Sequence, residues 1–246
     1  MSRIQLQIET NPDAVARAAA AMIAAQLRAN PASVLGFATG STPEKTYTEL
    51  IRLHREEGLS FGAARSFNLD EYVGMSGDHP QSYRAFMQQK LFDHIDIRPW
   101  NTHVLDGLAK DADAECAAFE KKILAAGGVD LWLLGIGNNG HIAFNEPGSA
   151  ADSRTRRVPL SESTIAANSD GRFFARAEDV PRHALTAGIG TILEARRIVL
   201  IATGAKKSPA LLAALNGPRT QECPASLLQN HGDYVFVVDK EAARKG

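Results

Sequence analysis

Residues 131–148 read LWLLGIGNNGHIAFNEPG, an apolar run that leads into a glycine turn and then into polar side chains. In α/β enzymes, ligands bind beyond the carboxyl ends of parallel strands, which is where a turn of this kind lies. Gly135, Gly137 and Gly140 allow a tight turn and let amides and side chains approach a ligand closely. The stretch therefore predicts an α/β fold whose functional site follows the strand that begins at Leu131.

The same three glycines match the G-x-G-x-x-G pattern of dinucleotide-binding folds. That pattern requires an uninterrupted helix after the third glycine, and Pro147 comes too soon for one. It also usually follows the first strand, with an acidic residue ~20 positions further on, whereas here much of the chain comes first and Glu162 fits only by spacing. A turn close to a ligand is therefore favoured over a nucleotide site.

Short apolar runs alternate with helical patterns along the chain, which is typical of βαβ units and a parallel sheet. The predicted strands are Ile4–Ile8, Val34–Ala38, Ser66–Leu69, Thr102–Leu105, Leu131–Gly135, Ile198–Ala202 and Tyr234–Val238. The predicted helices are Pro12–Ala29, Pro43–Glu57, Gln81–Phe92, Asp111–Ala125, Gly190–Ala195 and Pro209–Leu215. Since 246 residues with 44% hydrophobic content can bury one large core, we predict a single α/β domain over residues 1–246, with helices on both faces of a mostly parallel sheet.

The composition favours a small-molecule partner. A net charge of -1, from 27 basic and 28 acidic residues, gives no basic surface for nucleic acid and no charged tail for a membrane. No apolar run approaches the ~20 residues of a membrane span, and residues 1–30 do not resemble a signal peptide, so a cytoplasmic location is expected. Cys116 and Cys223 are too few for a disulfide framework, and without metal-ligand spacing in the sequence we expect no metal site.

Two loops that follow predicted strands have the character of phosphate sites. The first contains Thr39, Gly40, Ser41 and Thr42. Thr42 is the expected N-cap of the next helix and Pro43 its first residue, so free amides would face a bound anion. Residues 203–209 repeat this arrangement, and Lys207 is the better placed of two lysines to reach a phosphate. A capped helix without a ligand and a solvated lysine pair are the alternatives, but two such turns without a nucleotide signature favour a phosphorylated metabolite.

Acid–base residues follow two strands. The run FNLDEY at 67–72 places Asp70 and Glu71 at a strand end, where adjacent side chains point to opposite sides, so at most one carboxylate enters the site while the other braces the loop. Asp70 is the predicted base, since burial raises the pKa of a carboxyl towards the range useful for proton transfer. His141 and Glu146 follow the glycine turn as an acid–base pair suited to neutral pH. Turn chemistry or a helix cap is the alternative for the acidic pair, and a structural role is the alternative for the histidine.

These motifs, together with SRTR at 153–156 and ALTAGIGTIL at 184–193, resemble the glucosamine-6-phosphate deaminase family, also called glucosamine-6-phosphate isomerases. The matching runs cover most of the chain in order, and FNLDEYVG and GHIAFNEPG are the most specific. The resemblance implies a modified Rossmann-like sheet. It also implies conversion of an amino sugar phosphate, glucosamine 6-phosphate, and water into fructose 6-phosphate and ammonia without a cofactor.

The resemblance further implies residue roles. His141 assists opening of the sugar ring with support from Glu146, and Asp70 moves a proton between C2 and C1. The implied substrate-binding residues are Thr39, Gly40, Ser41, Thr42, Gly137, Arg172 and Lys207. Phosphate contacts are implied for Ser41, Thr42, Arg172 and Lys207, with Arg172 on a predicted flexible lid between residues 160 and 182.

Asn139 departs from the family pattern, because many members have aspartate two positions before the histidine. Asparagine is still expected to accept a hydrogen bond and to hold the ring, but it offers no full charge to an imidazolium. Asn139 is therefore kept among the predicted catalytic residues, and His141 is expected to rely more on Glu146.

The resembling family also contains allosteric members, which bind the phosphate of N-acetylglucosamine 6-phosphate with serines after the E-P pair and a basic R-x-K pair. Ser149 and Arg156 match these positions, whereas Ala150 and Val158 replace a hydroxyl and a lysine. Activation by that sugar is therefore expected to be absent. The oligomeric state is left open, and three alternative functions remain: galactosamine-6-phosphate deaminase, 6-phosphogluconolactonase and a non-catalytic sugar-phosphate sensor.

Overall fold

The structure, a computed structural model, describes residues 5–169, 171 and 174–244. Its strands are β1 (Gln5–Glu9), β2 (Val34–Phe37), β3 (Arg65–Asn68), β4 (Asp70–Tyr72), β5 (Thr102–His103), β6 (Leu131–Leu134), β7 (Arg156–Pro159), β8 (His183–Thr186), β9 (Arg197–Ala202) and β10 (Tyr234–Asp239). Its helices are α1 (Pro12–Ala29), α2 (Ser41–Glu57), α3 (Tyr83–Lys90), α4 (Ala112–Ala125), α5 (Glu162–Asn168), α6 (Ile189–Leu193) and α7 (Ser208–Asn216). Short 3-10 turns occupy 92–94, 99–101, 177–179, 205–207 and 224–230.

The larger sheet joins seven strands in the order β1-β10-β9-β6-β2-β3-β5, and every neighbouring pair is parallel. These are the seven predicted strands, with bounds that differ by at most two residues, although Ile4 lies outside the described residues. All six predicted helices are present as well. The mostly parallel α/β fold is therefore confirmed, and the 1–246 domain span stays a prediction.

Helices cover both faces of the seven-stranded sheet, because side chains alternate between the two faces along each strand. Leu35 and Leu133 belong to a buried cluster that packs beneath α1, α2 and α3. Trp132 and Leu134, which flank Leu133 in β6, belong to a second buried cluster beneath α4, α6 and α7. The strands in the middle of the sheet are buried on both faces, which explains why they are short continuous apolar runs in the sequence.

A second sheet of three antiparallel strands, in the order β4-β8-β7, was not predicted, and neither was α5. Its strands are three or four residues long and include DEY and RRVP, so they show neither the length nor the alternation that identifies a strand. Tyr72, Val158, Ile165 and Ala184 pack together beneath it. Only Leu69 separates the end of β3 from Asp70, the first residue of this sheet. The chain therefore enters the second sheet at the carboxyl edge of the larger one.

The start of α2 corrects the predicted capping. Helix α2 begins at Ser41, and Gly40 is its N-cap, with φ of 120° and no side-chain cap. Thr42 therefore lies inside the first turn instead of before it, and Pro43 is the third residue of the helix instead of the first. A φ of 120° favours glycine, so the chain can turn sharply from β2 into α2 only because residue 40 has no side chain.

Gly36 in β2 provides a test of the sheet's packing. A Cβ on Gly36 would lie 1.6 Å from the Trp132 ring on the neighbouring strand β6, so Gly36→Ala should overpack the core at a cost of ~1–3 kcal/mol or more. Thermal unfolding should show a lower Tm, by roughly 2–4 °C per kcal/mol for a chain of this size. Gly232→Ala is the matched control, since its Cβ would meet nothing within 4 Å. Equal Tm values for the two variants would contradict the packing.

Candidate active site

A cavity opens at the carboxyl ends of β2, β3 and β6, as expected for a parallel α/β sheet. Eight of the predicted site residues line it, namely Thr39, Gly40, Ser41, Thr42, Asp70, Gly137, His141 and Lys207. Glu146 and Asn139 do not line the cavity but form a hydrogen bond with one another, and Asn139 is exposed. The fold therefore brings together residues from four separate loops. Arg172 lies outside the described residues.

The loop between β2 and α2 supplies an anion-binding helix start. Helix α2 is 17 residues long, and its first-turn amides have no partner within the helix. Ser41 and Thr42 in this turn line the cavity, so the start of the helix lies at the cavity. The partial positive charge at this helix end favours an anionic group there.

Asp70 is a buried carboxyl, and no ion pair with it is found among the described residues. Burial raises its pKa, the nearby charge of Glu71 raises it further, and a hydrogen bond with Thr39 opposes them, so the pKa reaches about 8. The side chain lines the cavity at the first residue of β4. A carboxyl with this pKa exchanges its proton near neutral pH, as a general base requires.

The neighbouring Glu71 points away from the cavity and holds α3 in place. Its carboxylate accepts hydrogen bonds from the backbone amides of Tyr72 at 2.9 Å, Tyr83 at 2.9 Å and Arg84 at 3.0 Å. Burial raises the pKa of Glu71, and these three amides oppose that shift. The two adjacent carboxyls thus occupy opposite sides of the strand, as the alternation of side chains predicts.

Tyr83 is a cavity residue that the sequence reasoning missed. It lies in the first turn of α3, its ring stacks on Phe144 at 6.0 Å with an interplanar angle of 9°, and its hydroxyl donates to the Tyr72 hydroxyl at 3.2 Å. No local motif marks this tyrosine, since Glu71 places it over the cavity from twelve residues away. It presents a rigid aromatic wall to a ligand beside Asp70.

His141 and Glu146 stand at the two ends of a tight turn. The His141 Nδ1 lies 3.6 Å from the Glu146 Oε2, which is an ion-pair distance and longer than a hydrogen bond. Burial alone would raise the pKa of Glu146, but the interaction with His141, hydrogen bonds from Thr164 and Asn139 and the charge of His141 lower it to about 2. Glu146 is therefore a fixed anion that can stabilise a protonated imidazole.

Glu146 has more partners than the sequence indicated. Ser161 donates to its Oε1 at 3.0 Å, and Thr164 donates to the same oxygen. Ser161 caps α5 and Thr164 lies in its first turn, so the unpredicted helix α5 holds this carboxylate from the segment that was interpreted as a lid. The signal that could have identified α5 is the Ser161 N-cap followed by Glu162 in the first turn.

Asn139 contacts Glu146 and not the imidazole ring. Its Nδ2 donates to the Glu146 Oε2 at 2.7 Å, and its Oδ1 accepts from the backbone amide of His141 at 3.2 Å. Asn139 therefore accepts a hydrogen bond, as expected, but from the backbone of His141, and its effect on the imidazole ring stays a prediction. The contact needs a donor beside a carboxylate, which asparagine provides and aspartate does not.

Gly137 is needed beside the histidine. A Cβ on Gly137 would lie 2.3 Å from the Cε1 and Nδ1 atoms of His141, so the ring fits against the backbone only where there is no side chain. The amide of Gly137 also donates to the carbonyl of His141 at 2.9 Å, which closes the turn. The glycine turn therefore sets the position of the imidazole.

Lys207 reaches the cavity from a glycine turn on the opposite side. Burial lowers the pKa of Lys207, and an anion held beside it would favour its charged form. Lys206 is exposed, which agrees with the choice of Lys207.

Gly204 begins this turn, and its amide donates to both carboxylate oxygens of the buried Asp239, at 3.0 Å and 3.1 Å. Asp239 was missed because it is the last residue of a different strand, β10.

Within the part of the chain that the structure describes, no group of three or more His, Cys, Asp or Glu side chains could hold a metal ion. Among the same residues, no helix is both long and apolar enough to cross a membrane.

The fold and the cavity together define a class of protein: an α/β protein with an acid–base pair, a second buried carboxyl and an anion-binding helix start around one site. Comparison with known proteins agrees, because residues 9–236 match the profile of the family described as glucosamine-6-phosphate isomerases/6-phosphogluconolactonase. The chain belongs to this family, whose members bind sugar phosphates.

Relatives that share about 50% sequence identity with this chain are named as deaminases. The chain is 51% identical to the glucosamine-6-phosphate deaminase of Hahella chejuensis over 97% of this chain and 90% of that protein. It is also 51% identical to the glucosamine-6-phosphate deaminase of Rhodopirellula baltica, over 98% of this chain and 95% of that protein. A solved structure of a monomeric glucosamine-6-phosphate deaminase is similar with a TM-score of 0.95 at 42% identity, covering 98% of this chain and 99% of that one. The 6-phosphogluconolactonase from Trypanosoma brucei shares the fold, with a TM-score of 0.77 at 23% identity over 99% and 98%.

The contact between Asn139 and Glu146 gives a prediction. Asn139→Asp should raise the pKa of Glu146, because a carboxylate would replace the amide that donates to it and like charges would adjoin. The measurement is a ¹³C NMR titration of the Glu146 carboxyl. Asn138→Asp adds the same charge one residue away and should have a smaller effect. An identical Glu146 titration in Asn139→Asp and in the unaltered protein would refute the contact.

Proposed function

We propose that this chain is a glucosamine-6-phosphate deaminase, which converts glucosamine 6-phosphate and water into fructose 6-phosphate and ammonia. The observation that carries the proposal is the presence in one cavity of Asp70, with a pKa of about 8, and of His141 backed by Glu146. Relatives about 50% identical that are named glucosamine-6-phosphate deaminase support it.

The proposed reaction uses two proton-transfer groups. His141 moves a proton between the hydroxyl on C1 and the ring oxygen, which opens the sugar, while Glu146 stabilises the protonated imidazole. Asp70 then removes the proton from C2 and delivers it to C1, while the oxygen on C1 gains the proton that the amine loses, which leaves a hydroxyl on C1 and an imine at C2. Addition of water to C2 and departure of ammonia complete the balance. Asp70 can serve both carbons because C1 and C2 are adjacent.

Binding is proposed to depend on the phosphate. Ser41 and Thr42 at the start of α2 and Lys207 from the opposite loop line the cavity together, and Arg172 is proposed as a further phosphate ligand. Thr39, Gly40 and Gly137 lie along the cavity wall beside the acid–base groups, where the sugar would bind. We also propose a cytoplasmic location, which the buried, unbonded Cys116 and Cys223 support.

The test of the function is release of ammonia from glucosamine 6-phosphate, measured in a coupled assay with purified protein. Galactosamine 6-phosphate and 6-phosphogluconolactone are assayed in parallel. The proposal expects the highest kcat/KM with glucosamine 6-phosphate. Three other results would contradict the proposal. Preference for galactosamine 6-phosphate would indicate a galactosamine-6-phosphate deaminase, hydrolysis of the lactone would indicate a 6-phosphogluconolactonase, and binding without turnover would indicate a sugar-phosphate sensor.

Asp70→Asn tests the proposed base. The substitution keeps the shape of the side chain and removes the proton acceptor, so turnover should fall by ~10²-fold or more while an unreactive substrate analogue still binds within a few-fold. Near-normal turnover in a folded variant would exclude Asp70 as the base.

The same variant should become more stable than the unaltered protein as the pH rises. Native Asp70, with its pKa of about 8, keeps a proton that the unfolded chain loses near the ordinary value of 3.8, so between about pH 4 and pH 8 this group lowers stability progressively. The difference in Tm between Asp70→Asn and the unaltered protein should therefore be small near pH 4 and grow towards pH 8. A difference that is constant with pH would contradict the raised pKa.

Activation by N-acetylglucosamine 6-phosphate is proposed to be absent. The guanidinium of Arg156 already donates to Asn145 at 2.9 Å and to Ser149 at 3.3 Å, and the buried Val158 offers no charge in place of the second cation. Loss of one charge-assisted hydrogen bond to the activator's phosphate costs roughly 1.5–3 kcal/mol. This is as large as a typical allosteric coupling free energy of ~1–3 kcal/mol, so its loss is enough to abolish activation. Substrate saturation should be hyperbolic with or without the acetylated sugar. Sigmoidal kinetics that this sugar makes hyperbolic would disprove it.

A further inference from the structure

The second sheet carries a row of three side chains that face the His141–Glu146 turn. Thr186 in β8 is the direct partner of Asp70 in β4 and of Arg156 in β7. Residues directly opposite one another in antiparallel strands project to the same face of the sheet. Asp70, Thr186 and Arg156 therefore form one row across the three strands, and Asp70 is its end at the cavity.

The other two members of this row hold the turn that carries Glu146. The Thr186 Oγ1 accepts from the backbone amide of Phe144 at 3.1 Å, and the Arg156 Nη1 donates to the Asn145 Oδ1 at 2.9 Å. Phe144 and Asn145 are the two residues immediately before Glu146. Both contacts thus act on the short segment between the histidine and its carboxylate.

Ala187 next to Thr186 connects this turn to the segment that carries the base. Its amide donates to the carbonyl of Leu69 at 2.7 Å, and its carbonyl accepts from the Asn145 Nδ2 at 2.9 Å. Leu69 precedes Asp70, and Asn145 precedes Glu146. The backbone of a single residue therefore joins the carbonyl before Asp70 to the side chain before Glu146.

The turn needs this support because its backbone is strained. Ala143 has a φ of 51°, in the left-handed region that non-glycine residues rarely adopt, and such a conformation persists only where surrounding contacts enforce it. Asn145 is completely buried, and its Nδ2 also donates to the Ile142 carbonyl at 3.0 Å, which closes the turn from inside. Without the external contacts, the turn would relax and the separation of His141 and Glu146 would change.

We propose that Thr186, Asn145 and Arg156 are positioning residues that fix the His141–Glu146 pair relative to Asp70. None of the three lines the cavity, so each acts through another residue. The kinetic part of this inference rests on the proposed deaminase function. The structural part does not, because the placement of His141 can be observed without substrate.

The experiment compares Thr186→Val with Thr186→Ser and Thr191→Val. Valine keeps the shape of threonine and leaves the Phe144 amide without its acceptor, whereas serine retains the hydroxyl. Thr191→Val is the control, since it also removes a buried hydroxyl, one that donates to Glu120 and not to the His141–Glu146 turn. The readouts are the imidazole NMR resonances of His141 without substrate, and kcat and KM for ammonia release.

Thr186→Val should shift the His141 resonances and lower kcat by ~10-fold or more while KM changes within a few-fold, since small misplacements of reacting groups are costly. Thr186→Ser and Thr191→Val should resemble the unaltered protein in both readouts. If Thr186→Val does not fold, Arg156→Met at a partly exposed position should give the same pattern. Unchanged His141 resonances in the folded variant, or equal shifts in Thr191→Val, would overturn the inference. Shifted resonances in a protein that releases no ammonia would leave the positioning intact and reject the deaminase function instead.

Discussion

The burial of Asp70 without an ion-pair partner in the described part of the chain is the constraint on which the rest of the candidate site depends. Taking a carboxyl out of water penalises its charged form, and here that penalty raises the pKa to about 8. A fold can keep such a group only if the surrounding backbone does not yield to let water in. Asp70 is accordingly held on both sides, by the larger sheet through Leu69, whose amide donates to Phe37, and by β8 through its pairing with Thr186.

The two carboxyls of the proposed mechanism are tuned in opposite directions by their donors. Glu146 accepts from Ser161, Thr164 and Asn139 and lies beside His141, so its pKa falls to about 2 in spite of burial. The hydrogen bond with Thr39 only partly offsets the burial of Asp70, and Glu71 next to it adds a like charge. One carboxyl therefore remains an anion while the other can exchange a proton near neutral pH. Such divergence between neighbouring titratable groups is the usual basis for assigning separate acid–base roles.

The sequence predicted those features of the fold and the site that are formed by a single strand and the loop that follows it. The seven parallel strands are apolar runs, and the loops at Gly40, Gly137 and Gly204 follow three of them, so a site at the carboxyl edge could be inferred. The sequence could not predict contacts that join distant segments. Thr186 pairs with residues 70 and 156, Glu71 holds Tyr83, and Asp239 holds Gly204, and no local pattern records these separations. The hydrogen bond from Asn139 to Glu146 was not predicted for the same reason, since it forms only in the folded turn.

The fold alone does not determine the chemistry. The 6-phosphogluconolactonase from Trypanosoma brucei keeps this fold at 23% identity, which is possible because a parallel sheet requires mainly buried apolar strands and helices on both faces. The acid–base geometry makes stricter demands. It needs a carboxyl at residue 70 at the start of β4, the register of β4 against β8, and a turn from His141 to Glu146 of fixed shape. A shift of one residue in that register would turn Asp70 to the other face of the sheet. The small antiparallel sheet therefore constrains the candidate site through its register, while the loops after the parallel strands supply most of the residues that line the cavity.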